Sequence, residues 1–346
     1  MNILKLSLIA SLFASMAMTA EAKSGVDYVD PFIGTTNFSV CNPGAVRPHG
    51  LMSVVPFNVM GSDLNKEDKD KRWWSAPYEY HNKYFTGFAH VTLSGVGCPE
   101  LGTLLTMPTT GELNVDYRSY GSEYRNEQAR PGYYSNELTK YGIRCEVSST
   151  MRSSIERFTF PKGQGNLLFN LGNGLTNEIG ATLRRVSDTE FEGMRLLGTF
   201  CYNPQAVFPM YFVVRVSKAP KKSGYWKKQP DMLGAAKDWD VYSGKYKIYT
   251  NYGRDMAGND IGYLMSFDGE EEDQGQPLHR VLALGHLPQP IPASDASLPR
   301  PSGGDGKIDD RHVQGMGMDA EMGTLRTRDM DYGGRPVDTY HHRHIS

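Results

Sequence analysis

From Val26 to about Asp268 the apolar residues of this chain recur with a period of two, and that alternation limits it to a β architecture. Ile143, Cys145 and Val147 alternate with Arg144, Glu146 and Ser148, as a strand with one buried face requires. "RFTF" (Arg157 to Phe160) continues the pattern, and "NLLFNL" (Asn166 to Leu171) is a short apolar run between glycines. "TEFEGMRLL" alternates again, while Met210 to Val216 is aromatic and β-branched almost throughout. Long amphipathic helical patterns are missing. Short strands separated by Gly, Pro, Asn and Asp turns predict an all-β fold, an antiparallel β-sandwich. Two charged stretches read as solvated loops, Asn65 to Arg72 and the basic Lys218 to Pro230.

Both ends depart from this pattern. Lys5, the apolar run Leu6 to Ala17 and the small-x-small site Ala20-Glu21-Ala22 form a secretory signal peptide over 1–22. That run is too short to anchor in a membrane, so the expected mature protein is exported, with no transmembrane segment. After Asp268 the periodicity stops. Residues 269–346 hold no Phe, Trp or Cys and six of the nine histidines. Such a stretch buries too little apolar surface to offset its ordering entropy, so it is expected to be a disordered or out-of-frame tail. The sandwich domain is accordingly placed at 23–268.

A formal charge of −2 offers nothing for a phosphate backbone, which argues against nucleic acid as a partner. Cys41, Cys98, Cys145 and Cys201 all follow the leader, and an oxidising compartment permits disulfides among them. Four cysteines allow three full pairings, and spacing does not choose between them.

Chemistry concentrates in "GFAHVTLSGVGCPELG", which carries glycines at 87, 95, 97 and 102 together with His90, Cys98 and Glu100. Glycines at this density cost ordering entropy and mark a backbone that something must approach closely. Ser94 lacks the G-x-S-x-G order of a nucleophile elbow. A Cys98–His90 nucleophile pair would need the two side chains in contact, and His90 reads more readily as a satisfied structural histidine. Just upstream stand Trp73, Trp74, Tyr78, Tyr80, Tyr84, Phe85 and Phe88. Aromatic faces bind the C–H faces of sugars, and a tandem Trp in a loop is hard to bury twice. The competing fate is core packing. "HHRH" (His341 to His344) lies in the tail, and Asp329 to Gly334 lacks the distal glutamate of a calcium loop. No metal ligands and no catalytic acid or base are selected.

Together, "YVDPFIGTTNFSVCNPGAVRPHGLMSVVPF" (Tyr28 to Phe57) and "GFAHVTLSGVGCPELGTLLTMPTTGE" (Gly87 to Glu112) resemble two hallmark stretches of glycoside hydrolase family 92. "RPGYYSNEL" and "YGIRCEVSSTMRSSIERFTFP" fit the continuation. The resemblance, over about Tyr28 to Asp268, is to calcium-dependent, inverting α-mannosidases. It implies an N-terminal β-sandwich facing a helical (α/α)6 domain, with the active site between them. The helical domain supplies the acid, the base and most calcium ligands, and inversion needs two carboxyls roughly 6.5–9.5 Å apart.

Nothing after Asp268 resembles that helical domain. The expectation is therefore the N-terminal part of an exported α-mannosidase, α-1,2 in type, acting on mannose-containing glycans and inactive as this chain. Calcium would belong to the full-length enzyme, with none bound by this chain. By the resemblance, Gly34 and Thr35 border the cleft, and the loop with Gly97, Cys98 and Glu100 helps to form the leaving-group subsite. Trp74 joins them as a candidate sugar-facing aromatic. Several members carry tryptophan where this chain has Cys98, which opens the linkage question. The rival expectations are a free-standing carbohydrate-binding module and a structural surface domain.

Overall fold

The computed structural model describes residues 24–36, 40–71, 74–95, 97–98, 101–175, 180–198, 203, 205–231, 243–250 and 255–267, and the backbone of 278–287. The leader at 1–22 lies outside the described residues. Strands open with β1 (Ala45–Val46), β2 (Ser53–Phe57), β3 (Tyr84–Phe85), β4 (Gly87–His90) and β5 (Leu105–Thr110). After the single-turn helix α1 (Tyr117–Tyr120) come β6 (Ser122–Arg130), β7 (Tyr133–Leu138), β8 (Ile143–Ser149), β9 (Ser153–Phe160) and β10 (Gly165–Asn170). β11 (Ala181–Arg185), β12 (Glu190–Leu197), β13 (Phe208–Val216) and β14 (Lys222–Lys228) follow. The last are β15 (Tyr246–Tyr249), β16 (Asp255–Gly258), β17 (Ile261–Phe267) and β18 (Leu278–Leu287).

They form two sheets, ordered β1-β2-β4-β5-β10-β17-β14-β15 and β16-β11-β12-β13-β18-β9-β8-β7-β6-β3. Every pairing between named strands is antiparallel. The all-β sandwich expected from the alternation is the fold, and each of the five quoted strand patterns lies on a strand.

Rings from both sheets meet in the gap between them. Phe88 stacks on Phe158 with centroids 6.3 Å apart, and Phe191 meets Phe169 at 4.9 Å and Tyr263 at 4.5 Å. Side chains alternate along a strand, so β10 sends Phe169 into this gap and Leu168 and Asn170 to the far face. That far face is covered too: Asn170 Nδ2 donates to the Tyr120 hydroxyl of α1 at 3.3 Å, and β10 and β17 are buried at every position. The outer face of the ten-stranded sheet is polar instead. Glu146 accepts from Arg157 at 2.8 Å and lies 3.5 Å from Arg144.

Two loops expected to be solvated are not. Lys222–Lys228 is β14, paired with both β17 and β15, and its Tyr225 and Trp226 are buried. The flanking lysines mask two aromatic core positions. In the stretch from Asn65, the side chains of Asn65, Glu67 and Asp68 are buried, because Asn82 grips the Glu67 backbone in both directions (2.7 and 3.1 Å). β18 falls inside the segment expected as a tail and joins β9 to β13, uniting two halves of the larger sheet. Residues 268–277 and 288–346 lie outside the described residues.

Phe191 touches both sheets and is fully buried. Phe191→Ala is expected to cost about 3–5 kcal/mol through lost contacts and a cavity. Urea unfolding would show a lower midpoint at unchanged m; an unchanged midpoint would mean that the aromatic seam does not hold the sheets.

Candidate functional site

Strand registers send a set of loops to one end of the sandwich. β4 ends at His90, β10 ends at Asn170 opposite Leu105, and the β12–β13 hairpin closes with Leu197 opposite Phe208. Lys228 stands opposite Tyr246, so the 229–245 connection leaves at the same end. The glycine-rich loop sits among them. Its neck is an antiparallel bridge between Thr92 and Leu101, closed by Gly102 N donating to Val91 O at 2.9 Å and Thr103 N to His90 O at 2.8 Å. Val91 (φ 58°) and Leu101 (φ 67°) both adopt left-handed backbone there. For non-glycine residues that costs about 1–3 kcal/mol each, and it persists only where the surroundings enforce it.

At the far end of β4, Gly87 has φ 148°, and a Cβ would lie 2.8 Å from Thr106 O. At the tip, Gly95 N donates to Val40 O at 2.8 Å, and Asn42 Nδ2 donates to Leu93 O at 3.3 Å. The two motif stretches therefore touch. No atom lies within 4 Å of where a Cβ would stand on Gly95 or Gly97, so this backbone is open.

His90 is the loop's root. It is fully buried, with Nδ1 3.0 Å from Leu104 O and Nε2 against Glu156 Oε1 across the gap. A carbonyl only accepts, so Nδ1 carries a proton. Thr106 donates to the other Glu156 oxygen at 2.6 Å. The contact between Nε2 and Oε1 bolts β4 to β9. His90 is thus the satisfied structural histidine. Cys98 is disulfide-bonded, which rules out a Cys98–His90 nucleophile. Cys145 is a buried thiol, so none of the three full pairings forms.

The other predicted site residues divide. Gly34 is exposed at φ 77°. Thr35 is buried, its hydroxyl donating to Phe32 O at 2.7 Å, while its carbonyl accepts from Tyr80 N at 2.9 Å. Gly97 is exposed and Cys98 half-buried in the loop. Glu100 lies outside the described residues, as does Trp73. Trp74 is 3 % exposed and belongs to the core, so its ring faces protein.

Sequence reasoning missed Arg195 and Asp260. Arg195 is fully buried, its Nη1 donating to Gly102 O at 2.6 Å and to Asn173 O at 3.3 Å. Asp260, in the β16–β17 turn, accepts from Tyr246 Oη at 3.3 Å and lies 4.0 Å from Lys228 Nζ. Burial raises its carboxyl above the usual range, against the opposing charges of Lys228 and Arg195. The available signal was Arg195 itself: it stands in register with Phe191 and Gly193 on the inward side of an alternating strand.

The profile of the glycosyl hydrolase family 92 N-terminal domain matches residues 28–276. The chain therefore belongs to the family of glycosyl hydrolase family 92 N-terminal domains. Among solved structures it is similar to the family GH92 α-mannosidase BT3965 of Bacteroides thetaiotaomicron, at 25 % identity and a TM-score of 0.60. That likeness covers 75 % of this chain and 33 % of that one. The inverting mannosidase BT2199 of Bacteroides thetaiotaomicron VPI-5482 shares the fold at 18 % identity and a TM-score of 0.54, over 77 % of this chain and 32 % of its own. The chain thus spans about a third of the length of the mannosidases it matches. No curated protein matches it.

Two predictions follow from the buried polar groups. Glu156→Leu strands the His90 imidazole and the Thr106 hydroxyl and is expected to cost about 3–5 kcal/mol, whereas Glu156→Gln can still donate to Nε2. Equal losses in the two variants, read by urea unfolding, would refute the bolt. Asp260 holds its proton more tightly folded than unfolded, so its contribution to stability is full below about 3.8 and is lost as pH rises through the raised value. The stability of wild type relative to Asp260→Asn is expected to fall over that rise, and a flat difference would contradict it.

Proposed function

We propose that this chain is the sugar-facing N-terminal sandwich of an exported, inverting, calcium-dependent α-mannosidase, whose full-length reaction is hydrolysis of terminal α-mannose from glycans. The observation that carries this reading is the meeting of the 28–57 and 87–112 stretches at the loop-rich end, with open glycine backbone between them, in a family 92 chain. Backbone without side chains lets a sugar hydroxyl reach N–H and C=O groups directly. By the family resemblance Gly97, Cys98 and Glu100 are assigned to that surface, whereas the Gly34–Thr35 turn packs on Tyr80, beside Glu79 and Asn58, beyond the opposite, Phe57–Gly87 end of β2 and β4. Trp74 we assign to packing, which weighs against a free-standing binding module built on the tandem tryptophans. The disulfide at Cys98 and the leader-like start support export. Among the described residues no helix is long and apolar enough to cross a membrane.

Calcium takes six to eight oxygen ligands. Among the described residues no group of three or more His, Cys, Asp or Glu side chains could hold a metal ion. Acid, base and metal ligands are assigned to the helical domain that the family resemblance implies. The linkage we assign, α-1,2, rests on that resemblance alone.

The full chain is expected to bind methyl α-mannoside weakly by saturation-transfer NMR, with or without a chelator, and to release no mannose from an aryl α-mannoside in calcium. Absence of binding would overturn the sugar-facing assignment; calcium-dependent turnover would overturn the division of labour. Stronger contact with α-1,2-mannobiose than with its 1,3 or 1,6 isomers would support the linkage.

A further inference from the structure

We propose that Arg195 is the positioning residue of the glycine-rich loop, holding its carboxyl-side end so that the open backbone around Gly95 and Gly97 presents a fixed surface to the sugar. This rests on the sugar-facing reading above. Arg195 occupies an inward position of β12, where the alternation calls for an apolar side chain. Burying a guanidinium costs several kcal/mol unless fixed partners compensate it. Its Nη1 donates to the backbone carbonyls of two loops at the site end, Gly102 and Asn173.

Gly102 is a strategic place to grip. The same residue closes the neck through its N–H to Val91 O, and it follows Leu101, one of the two left-handed non-glycine residues of that neck. Strained backbone of this kind needs an outside restraint, and a charge-assisted hydrogen bond to the next carbonyl supplies one. The space around the guanidinium is shaped to match. A Cβ on Gly174 would stand 3.1 Å from Nη1, 3.4 Å from Nη2 and 3.5 Å from Gly102 O. Glycine at 174 therefore leaves room for the cation at this point. Through Gly102 and Asn173, one buried cation ties β12 to both the 91–104 and the 171–175 loops.

The test compares the full chain with Arg195→Met, Arg195→Lys and Gly174→Ala. Hydrogen exchange is followed for the 91–104 amides and, as a reference, those of β8 and β9; methyl α-mannoside contact is followed by NMR. Losing a charged hydrogen bond corresponds to about a ten- to hundredfold rise in local opening. Arg195→Met is expected to speed exchange of 91–104 by that factor, with the reference strands unchanged, and to weaken mannoside contact. Arg195→Lys should recover part of both effects. Gly174→Ala, which displaces the cation without removing it, should give a smaller change of the same kind and decides the matter if Arg195→Met does not fold. Exchange that rises uniformly, or not at all in the loop, overturns the proposal. So does a loosened loop that contacts mannoside as the wild type does. If the wild type itself shows no mannoside contact, the sugar reading fails, and the exchange pattern alone still decides whether Arg195 anchors the loop.

Discussion

The contact on which the molecule depends is the aromatic seam between its sheets. Phe88, Phe169 and Tyr263 come from the eight-stranded sheet, and Phe158, Phe191 and Phe212 from the ten-stranded one. Edge-to-face and offset contacts of this kind restrict where the sheets can sit on one another, because a ring tolerates only a few approaches. Once that seam is set, the far face of the smaller sheet needs its own cover, which the segment around Tyr120 supplies. The larger sheet can then leave its outer face to arginines and glutamates in water.

A polar cluster is embedded in this apolar gap. His90, Glu156 and Thr106 satisfy one another and Leu104 O, so the cost of burying them is offset within a few ångströms. Its position just before the glycine-rich loop matters more than its energy. It fixes the last residue before the chain leaves the sheet, while Arg195 holds the loop's return. Between these two anchors the backbone adopts left-handed angles at Val91 and Leu101. A loop with so many glycines would otherwise sample many conformations. The chain spans about a third of the length of the mannosidases it resembles, and the proposed sugar-facing role rests on this anchored loop.

The alternation of Ile143, Cys145 and Val147 was legible because period two survives any tertiary arrangement: one face of a strand must go inward. The motif stretches were legible as well, and they meet at Val40 and Gly95. Other features were not. Tyr225 and Trp226 were hidden by lysines that flank rather than interrupt their strand. Glu67 and Asp68 looked solvated by charge, yet their backbone is seized by Asn82, fifteen residues on from Glu67. Trp74 looked too awkward to bury, and the core accommodates it.

The sequence by itself determined the strand-rich architecture and the family, since these follow from local periodicity and from residues contiguous in the chain. Only the tertiary structure decided which residues converge. Arg195 lies ninety-three residues from the carbonyl it grips and Glu156 sixty-six from His90. Separations of that size carry no local signal, because the partners are chosen by sheet register and by how the two sheets stack.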